Sequence, residues 1–371
     1  MSRRRFGYVR QLSSGRWQAS YVGPDGVRYR APHTFSTEAK ADKWVRFEEA
    51  LIETGQWDAR RVAATPLFGE FCEKYINTQT TRSGELLKPT TKHHYRTVLR
   101  VHLGRFHDVP LHEIDTPAIR EWWSESIADG KLTSRSRAYK LLSATLGRAV
   151  EDGHISHNPC TIKGAHSAET GKEIVVPSAE ELARIINCMN PRYKTMTMLI
   201  ANSGLRFGEA AALERSDISV STLEGKTVFR ISVNKTTALI DGEVVTQSPK
   251  SSASIRDVKL RAELTEPLEA HLLATTSAES TLLFPNASGG YVRNDVFTNS
   301  FRRALKKAGA DPGITPHSLR HFAGSEYGRA GANVAELSKF LGDKSNSAVL
   351  RYLHTTDRGD TLLTQMRFIG Y

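Results

Sequence analysis

Four short segments of the chain place cations beside a helix start, a turn or a hydroxyl. In Ser203-Gly-Leu-Arg206-Phe-Gly-Glu209 an arginine falls at a helix junction, with a carboxylate three residues on to hold it. Lys250 sits in the turn-forming run Ser248-Pro-Lys-Ser-Ser-Ala-Ser254, among hydroxyl side chains. Thr315-Pro-His317-Ser-Leu-Arg320-His321 opens a helix with His317 and Arg320 three apart, hence on one face. Phe340-Leu-Gly-Asp343-Lys-Ser345 leads on to Arg351-Tyr352-Leu-His354. Cations followed by a tyrosine are what phosphoryl transfer to a protein hydroxyl needs: the cations neutralise charge on a pentacovalent phosphate and the tyrosine attacks it. Taken singly, each segment has a plainer reading. His317 and His321 stand at zinc-like spacing, but Ser318 follows where a metalloprotease needs Glu. Tyr327 shares the helix of His317 and is expected to pack, and Tyr371 lacks the surrounding cations.

The elements that must position these residues can be read along the chain. Its 371 residues, 39% hydrophobic and 25% charged, suit two to three ordinary globular domains. No apolar stretch approaches the ~18–20 residues of a membrane span, and Met1-Ser-Arg-Arg-Arg-Phe lacks the apolar segment of a signal peptide. Three scattered cysteines exclude a disulfide framework or a zinc ribbon, so a cytoplasmic location is expected. The net charge of +11 suits a polyanion. Much of it lies at the front, where Arg3, Arg4, Arg5, Arg10, Arg16, Arg28 and Arg30 face one acid, Asp25.

Residues 1–60 read as three strands (Tyr8–Leu12, Arg16–Val22, Val27–Arg30) and a helix capped by Ser36 or Thr37 and closed by Gly55. Trp17, Tyr21 and Trp44 supply its small core, and a thin sheet this rich in arginine can lie in a DNA major groove. Residues 65–160 read as a compact all-α block, with Thr65-Pro66 and Thr116-Pro117 as helix starts. From residue 174 the pattern is mostly helical, opening on a Ser178–Glu181 capping box, with strands at Thr227–Val233, Glu243–Gln247 and Ser254–Leu260. The fold class is therefore multidomain α+β: a small three-stranded sheet plus helix, an all-α domain, and a mostly α domain with a small antiparallel sheet.

Arg206, Lys250, His317-x-x-Arg320 and Tyr352, in this order and spacing, resemble the tyrosine recombinases, the lambda-type phage integrases. The resemblance covers essentially the whole chain. It implies an arm-type DNA-binding domain at 1–60, a core-binding domain at 65–160 and a catalytic domain with a C-terminal tail at 174–371. The N-terminal module points to the integrase of a temperate phage or mobile element. The resemblance also implies roles. Tyr352 is the nucleophile that forms a 3′-phosphotyrosyl link. Arg206 and Arg320 grip the non-bridging oxygens, Lys250 protonates the leaving 5′-oxygen, His317 assists, and Glu209 supports Arg206. No nucleotide cofactor and no metal are implied. The partners implied are double-stranded DNA at core and arm sites and a homotetramer assembled on it, with a host DNA-bending protein and a directionality factor as further candidates. One position departs from the pattern: Asp343 stands where the family has His or Trp. A carboxylate beside a phosphate is repulsive, so Asp343 is expected to orient Arg320 or Lys344, or to turn away. Two other functions stay open at this point. A catalytically weakened architectural DNA-binding protein would draw on Asp343. A type IB topoisomerase-like nicking-closing enzyme would relax any plasmid without exchanging strands.

Overall fold

The computed structural model describes residues 6–13, 15–31, 34–57, 66–81, 83–128, 132–167, 174–249, 252–275, 280–343 and 349–350. The chain divides into two compact units, Met1–Gly171 and Lys172–Tyr371.

The first unit holds two hydrophobic cores. Strands β1 (Tyr8–Gln11), β2 (Trp17–Val22) and β3 (Arg28–Arg30) form an antiparallel sheet in that order. Helix α1 (Glu38–Glu53) covers one face, and Ala19, Tyr21, Trp44 and Val45 are buried between them. Thr37 is the cap, its hydroxyl accepting from the Lys40 N–H. The buried Glu48 carboxylate accepts from Tyr21 Oη at 2.8 Å, and Trp57 Nε1 donates to the same phenol at 2.7 Å.

The second core belongs to the helices α2 (Phe68–Thr78), α3 (Pro89–His102), α4 (Thr116–Ala128) and α5 (Leu132–Glu151). Two expected helix starts move. Pro66 precedes the helix instead of opening it: its carbonyl accepts from Leu111 N–H, and α2 begins at Phe68. Asp115, not Thr116, caps α4, because its carboxylate accepts from Ala118 N–H at 2.9 Å and a carboxylate also suits the positive helix start. Thr65 lies outside the described residues.

The second unit packs α6 (Ala179–Cys188), α7 (Pro191–Ser203), α8 (Phe207–Ala212), α9 (Thr265–Ala274), α10 (Asn294–Ala308) and α11 (Pro316–Arg329) around one large core. A shorter helix, α12 (Val334–Leu341), buries Leu337 and Leu341 with Val349. Ser178 caps α6 as expected, but the Glu181 carboxylate accepts from Asp311 N–H and does not close a capping box. The β region has five strands among the described residues, two more than the sequence pattern suggested. β4 (Ile218–Leu223), β5 (Lys226–Val233) and β8 (Arg256–Lys259) make one antiparallel sheet, and β6 (Thr236–Ile240) pairs with β7 (Glu243–Gln247) as a separate hairpin. Ser254, expected to open the last strand, instead ends a 3-10 turn (Ser252–Ser254), and β8 begins at Arg256.

Candidate active site

Helix ends build the charged centre of the second unit. Helix α7 stops at Gly204, whose φ of 65° is left-handed. A Cβ there would come within 2.8 Å of Leu341 Cδ2 and 3.1 Å of Phe340 Cε1, so glycine lets the end of α7 meet the end of α12. Arg206 follows at the start of α8. Glu209, one turn on and 2% exposed, accepts from the Arg206 backbone N–H at 3.0 Å and from its Nη1 at 2.6 Å. The supporting carboxylate thus fixes both the backbone and the guanidinium of Arg206.

Arg320 lies on α11, with its side chain 2% exposed. Its Nη1 donates to Gly204 O at 2.6 Å, and its Nη2 to Leu341 O at 2.7 Å and Asp343 Oδ2 at 2.6 Å. Both carbonyls belong to helix C-termini, where they would lack a partner and where the helix dipole favours a cation. Burial and the neighbouring Arg206 charge lower the Arg320 pKa, with Asp343 and Glu209 opposing the shift. The group stays charged, because a guanidinium starts so high.

Asp343 does not turn away. Its Oδ1 accepts from Arg206 Nη2 and its Oδ2 from Arg320 Nη2, so one carboxylate spans both guanidiniums. The expectation that it orients Arg320 therefore extends to Arg206; Lys344 lies outside the described residues. Gly342 before it takes a left-handed φ of 66°, which swings the chain off α12 and brings the carboxylate inward.

A third arginine completes the cluster, and the sequence pattern did not mark it. Arg256 opens β8 with its side chain 4% exposed. It donates from Nε to Phe340 O at 2.9 Å, from Nη1 to Ser254 O at 3.2 Å and from Nη2 to Glu209 Oε2 at 3.1 Å. In sequence, Arg-Asp-Val-Lys reads as a solvated strand. The only available hint was an arginine at an inward position, alternating with the outward Asp257. Arg206, Arg256 and Arg320 against Glu209 and Asp343 leave one net positive charge in a largely dry site, which is a seat for an anion.

The remaining expected residues fall as follows. His317 is exposed on the first turn of α11, its ring edge-on to His321 at 4.6 Å. Tyr327 stacks on Phe340 at 4.4 Å, as a packing residue would. Lys235, another cation of the β region, is held by Glu214 at 3.1 Å and Asp217 at 3.0 Å. Lys250, Tyr352 and Tyr371 lie outside the described residues, as do Arg3, Arg4 and Arg5. The described chain reaches Leu350, just past the buried Val349. In the first unit, the strand register sets Arg10 opposite Gln18, Arg30 opposite Ser20 and Arg28 opposite Val22. Because side chains alternate, Arg10, Arg28 and Arg30 share the sheet face turned away from the Tyr21–Trp44 core, and all three are exposed. Arg16 instead bonds the Thr34 hydroxyl at 2.6 Å.

The partly exposed Arg206 and the buried Arg320 converge on the two oxygens of one carboxylate, an arrangement that also suits a phosphate ester, and known proteins agree. Residues 5–54 match the phage integrase N-terminal domain, and residues 177–358 match the phage integrase family. The chain is 33% identical over 365 residues to the prophage phiRv2 integrase of Mycobacterium tuberculosis, covering 96% of this chain and 94% of that one. Its fold is similar to that of the Tn1549 transposon integrase in complex with transposon right end DNA (TM-score 0.67, 17% identity, 81% of this chain and 98% of that one). It is also similar to a lambda integrase tetramer bound to a Holliday junction (TM-score 0.57, 16% identity, 100% and 99%). The chain belongs to the phage integrase family and is a site-specific tyrosine recombinase, a DNA strand transferase.

Proposed function

We propose that this recombinase inserts and removes the DNA of a phage or other mobile element at attachment sites, with the second unit cutting at the core site and the arginine-bearing sheet holding arm sites. Tyr352 Oη attacks the scissile phosphorus as its phenolic proton passes to solvent, the bond to the 5′-oxygen breaks, and that oxygen leaves as a hydroxyl with a proton from Lys250, which solvent then reprotonates. The product is a 3′-phosphotyrosyl link, which the 5′-hydroxyl of a partner strand reverses. Bond energy is conserved, so no cofactor enters the cycle. Arg206 and Arg320 bind the two non-bridging oxygens, and His317 assists proton transfer or phosphate binding.

One observation carries this reading: two arginines from different helices each place one N–H on a different oxygen of the same carboxylate. Two non-bridging oxygens of a phosphodiester present the same demand. In the free protein Asp343 fills the seat and keeps both guanidiniums aimed; on DNA the phosphate takes its place. The residue that departs from the family pattern is then compatible with catalysis. Residues 1–60, 65–160 and 174–371 act as arm-binding, core-binding and catalytic domains, four copies assemble on the DNA in the bacterial cytoplasm, and a host bending protein and a directionality factor bring distant sites together.

The test is recombination between two plasmids, one carrying the junction of the mobile element and the other the empty chromosomal site. Recombinant junctions that form with the wild type and not with Tyr352→Phe are expected. Relaxation of any supercoiled plasmid without junctions would replace this reading with a nicking-closing topoisomerase.

A further inference from the structure

Arg256 is a buried cation, yet it bonds both Glu209, which holds Arg206, and the end of α12, which supplies partners to Arg320. Through Nη2 it holds Glu209, the carboxylate that grips Arg206. Through Nε it holds Phe340 O at the end of α12, and within the next three residues Leu341 O and Asp343 accept from Arg320. Its Nη1 returns to Ser254 O, and the Ser254 hydroxyl donates to Gly342 O at 3.1 Å. The fit is close: a Cβ on Gly342 would stand 2.8 Å from Arg256 Nη1. In sequence Arg256 follows Lys250 by six residues, so the strand that leaves the lysine turn is anchored at this point.

We infer that Arg256 is a positioning residue for strand cleavage: it sets Glu209 and the α12 end in register, and through them aims Arg206 and Arg320 at the scissile phosphate. Being 4% exposed, it does not bind DNA itself. Glu209 is a carboxylate shared by Arg206 and Arg256, and removing Arg256 frees it to swing toward Arg206. Lysine cannot replace the fork, because one ammonium on a flexible stem does not reach three acceptors in a plane. The inference rests on the proposed roles of Arg206 and Arg320.

The experiment is single-turnover cleavage by the full chain of a nicked duplex spanning the junction of the element with its host chromosome. Affinity for the same duplex and cooperative melting are measured alongside. Arg256→Met is expected to slow cleavage about 100-fold or more, the scale of losing one oxyanion donor, while DNA affinity stays within about threefold. Arg256→Lys falls between it and the wild type. The discriminating readout is a double-mutant cycle with Glu209→Gln. If Arg256 acts through Glu209, Arg256→Met costs less than about fivefold in the Glu209→Gln background. A merely structural role gives equal losses in both backgrounds, tracking the melting temperature, and overturns the inference. So does a wild-type rate in either Arg256 variant. Should Arg256→Met not melt cooperatively, Arg256→Lys is used in the same cycle with the same criterion. Arg206→Ala separates the two levels: if it cleaves normally, the phosphate-binding reading fails, whereas an inactive Arg206→Ala beside normal Arg256 variants removes this inference alone.

Discussion

Replacing Asp343 with alanine leaves Arg206 and Arg320 facing each other without the carboxylate between them. The two bonds lost are unequal. Arg320 is 2% exposed and its 2.6 Å bond to Asp343 is charge-assisted, for which about 1.5–3 kcal/mol is typical. Arg206 is 36% exposed, so solvent screening holds its share to under about 1 kcal/mol. In phosphate-free buffer the variant is therefore expected to lose about 1.5–4 kcal/mol in the second unit. Inorganic phosphate then enters the empty seat. At 100 times its Kd, a ligand that binds only the folded state contributes about 2.7 kcal/mol, which restores most of the loss. For a unit of 200 residues this raises the melting temperature by roughly 5–10 °C. The wild type, whose seat Asp343 fills, should move by less than about 2 °C. Asp343→Asn, which keeps the shape without the charge, should fall between them. Calorimetry is the assay, because Trp17, Trp44, Trp57, Trp122 and Trp123, all the tryptophans of the chain, lie in the first unit. Their fluorescence transition serves as an internal control that phosphate should not shift. An equal phosphate response in wild type and variant would refute the shared seat.

Three further outcomes follow from the same account. Lys250→Ala should slow cleavage about 10²–10⁴-fold, and a substrate with sulfur at the 5′-bridging position, whose leaving group needs no proton, should recover the rate; no recovery would remove Lys250 as the acid. Deleting residues 1–60 should spare cleavage at isolated core sites and abolish recombination that needs arm sites, with salt-sensitive binding by Arg10, Arg28 and Arg30 lost; footprints at arm sites that survive the deletion would contradict this. Gly204→Ala should destabilise the second unit by more than about 2 kcal/mol, since a left-handed residue gains a Cβ that meets Leu341; a chemical denaturation midpoint within error of wild type would show that the two helix ends are not packed as described.

Much of the architecture was legible because local chemistry and tertiary structure agree. The strands of the N-terminal sheet were placed within a residue or two, since Gly23-Pro-Asp-Gly26 turns the chain and Trp17, Ala19 and Tyr21 alternate. Arg206, Glu209 and Arg320, which the structure gathers into one cluster, were legible because each lies near a helix start that the sequence marks, whereas His317 lies exposed on the first turn of α11. The strands β4 and β6 were not found, as both mix hydroxyl with apolar side chains and neither has a fully buried residue. Yet a signal was present: Glu224-Gly225 and Asp241-Gly242 have positive φ at both positions, and an Asp-Gly pair is a strong two-residue hairpin signal. Arg256 and the pairing of Asp343 with two arginines were beyond local reading. Their partners lie 47, 84, 137 and 23 residues away, and only the meeting of the ends of α7 and α12 brings them together. Pro66 misled because a Pro near a helix start is ambiguous: its carbonyl had a partner at Leu111 that no local pattern discloses.

In the proposed reaction one tyrosine of this chain carries the DNA strand. A nicked duplex spanning the element junction lets the short fragment beyond the cut diffuse away and traps the covalent intermediate, which can then be digested and sequenced by mass spectrometry. A peptide containing Tyr352 joined to a 3′-phosphate is expected, with a free 5′-hydroxyl on the released fragment and no adduct in Tyr352→Phe, which still binds the duplex. An adduct on another residue, a 5′-linked product, or an adduct that persists in Tyr352→Phe would contradict it.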